Sequence, residues 1–136
     1  MISPATYPGG VDISEMMSER RIDLFVMNMF RSKNFLRVAY EIKVSRSDFF
    51  SDVGDMSKHE PIRNFCNEFW FATPRGVVKK EEIPEGCGLM EFDEGSRYAH
   101  FIVRPTRKET IAPGWPFIAS ICRRVQKEEA KQVKLF

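Results

Sequence analysis

Residues 69–72, Phe-Trp-Phe-Ala, run without a polar side chain, and no other stretch limits the fold so tightly. A strand with apolar side chains on both faces must be covered on both. That marks a central strand with neighbours on either side. Thr73-Pro74-Arg75-Gly76 then turns the chain. Upstream, residues 34–44 (NFLRVAYEIKV) are rich in β-branched and aromatic residues and read as another strand. Between the two strands, 45–53 opens on Ser45 with Asp48 three positions on, a capping-box-like helix start with Asp in place of Glu. Gly54 ends that helix, and Pro61 suits the start of a second, PIRNFCNE. Strand, helices, strand is a βαβ unit, with parallel strands and a right-handed crossover.

The remaining segments extend this unit. Residues 21–30 (RIDLFVMNMF) form a hairpin with 34–44 through Arg31-Ser32-Lys33. EEIPEGCG (81–88) is a loop, and 89–92 and 97–105 are short strands. After Pro113 and Pro116, 117–136 reads as a helix, apolar at its start and charged later. At the other end, 12–21 reads as a short helix capped by Asp12 or Ser14, and 1–11 as a loose arm with two prolines and two glycines. The expected class is α/β, a mixed central sheet flanked by helices, in one domain over 12–136. The 136 residues, 43% hydrophobic and 29% charged, suit one globular domain. No apolar stretch reaches the ~20 residues of a membrane helix, and no secretory signal is visible. Cys66, Cys87 and Cys122 are widely spaced, and with only His59 and His100 no zinc pattern emerges. The cysteines read as reduced thiols, and the protein as cytoplasmic. A net charge of +2 neither demands nor excludes nucleic acid.

Glu41-Ile42-Lys43 sets an acid and an amine two residues apart inside an apolar run. Side chains alternate along a strand, so Val38, Tyr40, Ile42 and Val44 share one face and Arg37, Ala39, Glu41 and Lys43 the other. The apolar face is expected to be the core. A hairpin loop at Arg31-Ser32-Lys33 puts Asp23 directly across from Glu41, with Cβ atoms about 5 Å apart. The same register adds Ile22, Leu24 and Val26 to the apolar face. Two adjacent carboxylates repel, and one takes up a proton unless a cation intervenes. A divalent cation prefers hard oxygen ligands of this kind. A lysine one pleat away can orient an attacking water or neutralise a developing oxyanion, a constellation suited to phosphodiester hydrolysis. The plainer alternative is a solvated strand face with a weak surface ion pair.

Asp23 followed by Glu41-Ile42-Lys43 and a helix resembles the PD-(D/E)XK nuclease superfamily. RRID (20–23), YEIKVSRSDFFSD (40–52), NEFWFATPRGVV (67–78) and IPEGCGLMEF (83–92) together look like its MmcB-type DNA-repair and phage-nuclease family. The resemblance spans roughly residues 19–125. It implies a restriction-endonuclease-like core in which Asp23, Glu41 and the backbone carbonyl of Ile42 hold Mg²⁺ or Mn²⁺ and Lys43 assists the attacking water. Ile22 stands where the superfamily has proline, and Glu15 or Glu19 could supply its first-helix carboxylate. Lys58-His59 replaces the family's lysine–tryptophan pair.

Ser45, Arg46 and Ser47 could hold a phosphate at the helix start, or form a plain cap with an exposed arginine. Asp48 and Asp52 read as cap and first-turn charges that favour the helix dipole, with a metal role as the alternative. Lys58 and His59 read as a solvated helix end, with contact to the DNA backbone as the alternative. Arg75, Lys79 and Lys80 form a candidate phosphate-contacting loop. Phe49, Phe50, Phe65, Phe69, Trp70 and Phe71 read as core. The late basic residues, mixed with Glu128 and Glu129, read as a solvated face. The expected activity is metal-dependent DNA hydrolysis in repair, recombination or phage DNA processing. The alternatives are a DNA-binding module without turnover, or a subunit that needs a partner. At this size a homodimer or larger assembly could supply surface for substrate selection.

Overall fold

The structure, a computed structural model, describes residues 22–134, without the side chains of Lys58, Pro61 and 132–134. The arm at 1–11, the helix at 12–21, and Glu15 and Glu19 lie outside the described residues. The chain divides into two compact units, one spanning Ile22–Ile111 and one that takes in the segment from Ala112 onward.

The first unit holds strands β1 (Leu24–Met27) and β2 (Arg37–Ile42), helices α1 (Arg46–Val53) and α2 (Glu60–Phe65), and strands β3 (Glu68–Pro74), β4 (Gly88–Phe92) and β5 (Ala99–Val103). Short 3₁₀ turns cover Arg31–Lys33, Met56–His59 and Lys80–Glu82. The second unit contains α3 (Trp115–Lys134), whose later turns are charged and exposed. Among the described residues, no helix is long and apolar enough to cross a membrane.

The five strands lie in chain order, β1-β2-β3-β4-β5. The outer pairs are antiparallel, while β2–β3 and β3–β4 are parallel. This is the expected α/β class with a mixed sheet, and 69–72 sits in the central strand. The βαβ reading of 34–74 also holds. Ser45 caps α1, its hydroxyl accepting the Asp48 N–H at 3.2 Å, and Pro61 lies in the first turn of α2.

The hairpin keeps the expected register, with Leu24 opposite Tyr40 and Val26 opposite Val38. Its strands are shorter than expected, because residues 28–36 close through the Arg31–Lys33 turn and successive left-handed residues, Asn34 (φ 53°) and Phe35 (φ 50°). Asn tolerates that conformation, whereas it is rare for a bulky ring.

Which face of β2 is covered needs correction. Helices α1 and α2 pack on the face that carries Ala39, Glu41, Phe69 and Phe71. The Phe49 ring meets Phe71 edge-on at 5.3 Å, and the His59 ring lies 5.4 Å from Phe69. The opposite face is core only at its middle, where Val38, Trp70, Ala72 and Met90 cluster. Toward the end of β2 it opens, leaving Ile42 52% and Val44 67% exposed, and Leu24 and Val26 on the outer strand are nearly half exposed. Only Ile22 among the expected β1 core residues is buried. Phe50 is exposed as well, since adjacent helix positions point in different directions. Its ring lies 5.0 Å from the Arg46 guanidinium.

Candidate active site

The site begins where β1 starts its pairing with β2. The first paired residue of β1 is Leu24, opposite Tyr40, so the register sets Asp23 beside Glu41. Ile42 is still paired with Ala72 of β3 but lies past the last β1 pair, and its N–H donates to Asp23 Oδ2 at 2.8 Å. The carboxylate thus replaces the missing rung of the ladder and is fixed over the end of β2. The Ile42 side chain points to the open face, as alternation requires.

Glu41 is 7% exposed. Its Oε1 lies 3.3 Å from Lys43 Nζ. Its Oε2 is buried with no hydrogen-bond partner among the described residues. Burial, then the charge of Asp23, pushes this carboxyl up to about 7, and Lys43 only partly offsets them. Lys43 continues from β2 and reaches Asp52 Oδ2 at 2.6 Å. Burial works against its ammonium, but the bonds and charges of Asp52 and Glu41 outweigh burial, and the net shift is upward.

Asp52 and His59 are the residues that the sequence reading placed wrongly. Asp52 is not a first-turn charge: α1 ends at Val53, so Asp52 sits in the last turn, where a carboxylate opposes the helix dipole. Lys43 and His59 Nε2, at 3.1 Å, are the groups that make it tolerable. A signal was present, since Asp52 follows the buried Phe49 by three residues and so shares its helix face. Nor is His59 at a solvated helix end: it is buried against Phe69 and Phe71. Thr73 adds a third missed group. The β2–β3 register sets it beside Lys43 on the site face, and its hydroxyl is buried without a partner among the described residues.

The candidate phosphate contacts make their hydrogen bonds to groups outside this cluster. Ser45 Oγ is engaged by the Asp48 N–H and lies 3.2 Å from Ser47 Oγ. Arg46 donates to Glu82 Oε1 at 2.8 Å and to the Val77 carbonyl at 3.0 Å, and its guanidinium holds the Glu82 carboxyl below the usual range. Arg75 donates twice to Asp93, at 2.7 Å each, and lies 3.0 Å from His100 Nε2. Both arginines are therefore engaged by carboxylates in this structure. Lys58 lies in the Met56–His59 turn, with its side chain outside the description.

Among the described residues, no group of three or more His, Cys, Asp or Glu side chains is arranged to hold a metal ion. Two carboxylates do meet at the end of β2, one with an unsatisfied buried oxygen. That donor set fits a hard divalent cation of the kind that takes one or two protein carboxylates and completes its shell with water or substrate oxygens.

No protein-family model matches the chain. No curated protein matches it either. Among solved structures it is similar to the SPO1766 protein of unknown function from Silicibacter pomeroyi, with a TM-score of 0.57 and 20% identity over 84% of this chain and 74% of that one. The likeness is one of fold.

Proposed function

We propose that the chain is a metal-dependent deoxyribonuclease of the PD-(D/E)XK type, built on a restriction-endonuclease-like core and of MmcB-like kind, which hydrolyses DNA in repair, recombination or phage DNA processing. The observation that carries the reading is Glu41 Oε2, a buried carboxylate oxygen with no partner among the described residues, beside a second carboxylate. A buried polar atom left unpaired is costly, and two neighbouring acids add repulsion. Coordination of Mg²⁺ or Mn²⁺ would relieve both.

Asp23, Glu41 and the Ile42 carbonyl would hold the ion. When bound, it would supply Lewis-acid stabilisation of the phosphoryl charge and lower the pKa of a water nucleophile. The chain's own groups do the rest. The Ile42 N–H fixes Asp23, so this carboxylate is oriented before any ligand arrives. Glu41 turns Oε1 to Lys43 and keeps Oε2 for coordination. Lys43, held protonated by Asp52 and Glu41, acts as a donor rather than a base. It can orient the attacking water or meet charge developing on the phosphoryl oxygens. Asp52, backed by His59, is a positioning residue that sets where Nζ sits.

The test is cleavage of labelled single-stranded, duplex and branched DNA with Mg²⁺, Mn²⁺ or EDTA, with Glu41→Ala alongside. Metal-dependent cutting that vanishes in the variant is expected. Unchanged DNA binding without cutting by the wild type would overturn hydrolysis in favour of a binding module or a partner-dependent subunit.

A further inference from the structure

The opposite end of β2 carries a second assembly of charge. Arg37, its first residue, is fixed by three neutral acceptors. Nε donates to the Phe65 carbonyl at 3.1 Å, Nη1 to the Phe35 carbonyl at 3.1 Å and Nη2 to Thr110 Oγ1 at 2.8 Å. A cleft of about 690 Å³ opens beside it, with Lys33, Asn67, Arg107, Lys108 and Glu109 among its lining. Glu68 neutralises Arg107 at 2.8 Å. Among the described residues, no carboxylate lies at ion-pair distance from Lys33, Arg37 or Lys108.

The walls are tied together. Asn67 Oδ1 accepts the Arg37 N–H at 2.9 Å, and its Nδ2 donates to the Lys108 carbonyl at 2.9 Å. The Lys108 N–H in turn donates to the Asn67 carbonyl at 3.0 Å. The cations therefore stand on a braced frame and do not depend on a ligand to assemble. Among the described residues no aromatic ring lines the cleft, so it lacks the aromatic platform on which bases stack. What it offers is positive charge and N–H donors, the chemistry that matches phosphate.

We propose that this cleft binds the backbone phosphates of a nucleic-acid strand, at a site distinct from the acid cluster. The choice of nucleic acid as the polyanion rests on the nuclease reading above; the charge assembly itself does not. Four residues of β2 separate Arg37 from Glu41, about 13 Å.

The experiment is fluorescence anisotropy of a labelled oligonucleotide, single-stranded and duplex, titrated with protein in EDTA over a range of KCl. Lys33→Ala/Lys108→Ala removes two exposed cations from the cleft. Arg123→Ala/Lys127→Ala removes the same charge from an exposed stretch of α3. The cleft variant is expected to lose about tenfold or more in affinity, the scale of one or two charge-assisted hydrogen bonds. Its slope of log affinity against log salt is expected to fall by about 0.9 for each phosphate no longer neutralised, while the α3 variant follows the wild type. Equal losses in both variants, no loss in the cleft variant, or no binding by the wild type would each overturn the proposal. EDTA keeps catalysis out of this readout. Absence of cleavage in Mg²⁺ would therefore sink the nuclease reading and leave the cleft standing, and the reverse result would do the opposite.

Discussion

At one end of β2, acids flank a lysine; at the other, cations stand beside a guanidinium that, among the described residues, is held by neutral acceptors alone. Glu41 and Asp52 flank Lys43, Asp23 adds its charge beside Glu41, and the surplus negative charge shows in the raised Glu41 carboxyl. Arg37, Lys33 and Lys108 have a surplus of the opposite sign. The first end is short of a cation and the second of an anion. A polyanion that arrives with a divalent metal satisfies both, and either deficit alone would point to a less specific partner.

The largest expected effect bears on the acid end. Asp23→Asn should lower metal-dependent cleavage by at least about a thousandfold, given the several kcal/mol that a bound metal contributes to such a reaction. Single-turnover cleavage at saturating Mg²⁺ measures it. A variant that still cuts would leave the acids without their assigned role.

Removal of a cation should then have opposite consequences at the two ends. Lys43→Ala leaves Glu41 and Asp52 without the ammonium they share and should cost about 1–3 kcal/mol, discounted from a fully buried pair because the site is partly open. Lys108→Ala, on the cation-rich side, should stay within about 0.5 kcal/mol of the wild type. Urea unfolding of both variants provides the comparison, and equal losses would erase the contrast in charge balance.

Glu41 also predicts a pH dependence. The unfolded chain releases this proton near 4.5 and the folded chain near 7. Its contribution to stability is thus full below 4.5 and is lost as pH rises through about 7. Melting in EDTA should show Glu41→Gln gaining on the wild type across that window, with a smaller gain once Mg²⁺ is present. A constant difference would mean that the carboxyl is not strained by burial and Asp23.

The smallest effect is expected at Arg46. Its guanidinium is already committed to Glu82 and the Val77 carbonyl. Arg46→Ala should therefore leave DNA affinity within about twofold of the wild type in the same anisotropy assay. A larger loss would mean that Arg46 leaves Glu82 to meet the ligand.

Much of this arrangement could be read from local pattern. The hairpin register followed from the loop position and the alternation in β2, and with it the meeting of Asp23 and Glu41. The parallel pairing followed from the helices between two strands. Alternation says which residues share a face but not which face the helices choose. The exposed Ile42 and the covered Glu41 therefore reversed the expectation. Asp52 was misread because helix dipole reasoning depends on where the helix ends. Arg46 and Arg75 were read as candidate phosphate contacts, and their carboxylate partners, 36 and 18 residues away in the chain, could not be seen from local pattern. Such pairings depend on tertiary packing, and no local pattern encodes them.

The strands of this sheet follow one another in space as they do in the chain, and this has a consequence for synthesis. Asp23, Glu41, Lys43, Asp52, His59 and Thr73 all fall within residues 23–73. A nascent chain emerging in order presents every one of these groups before β4 exists. At that stage β3, the most apolar strand, is an open edge, and open apolar edges pair with other chains. The earlier part of the chain thus brings the candidate site, and the later part brings the strand that covers the open edge of β3.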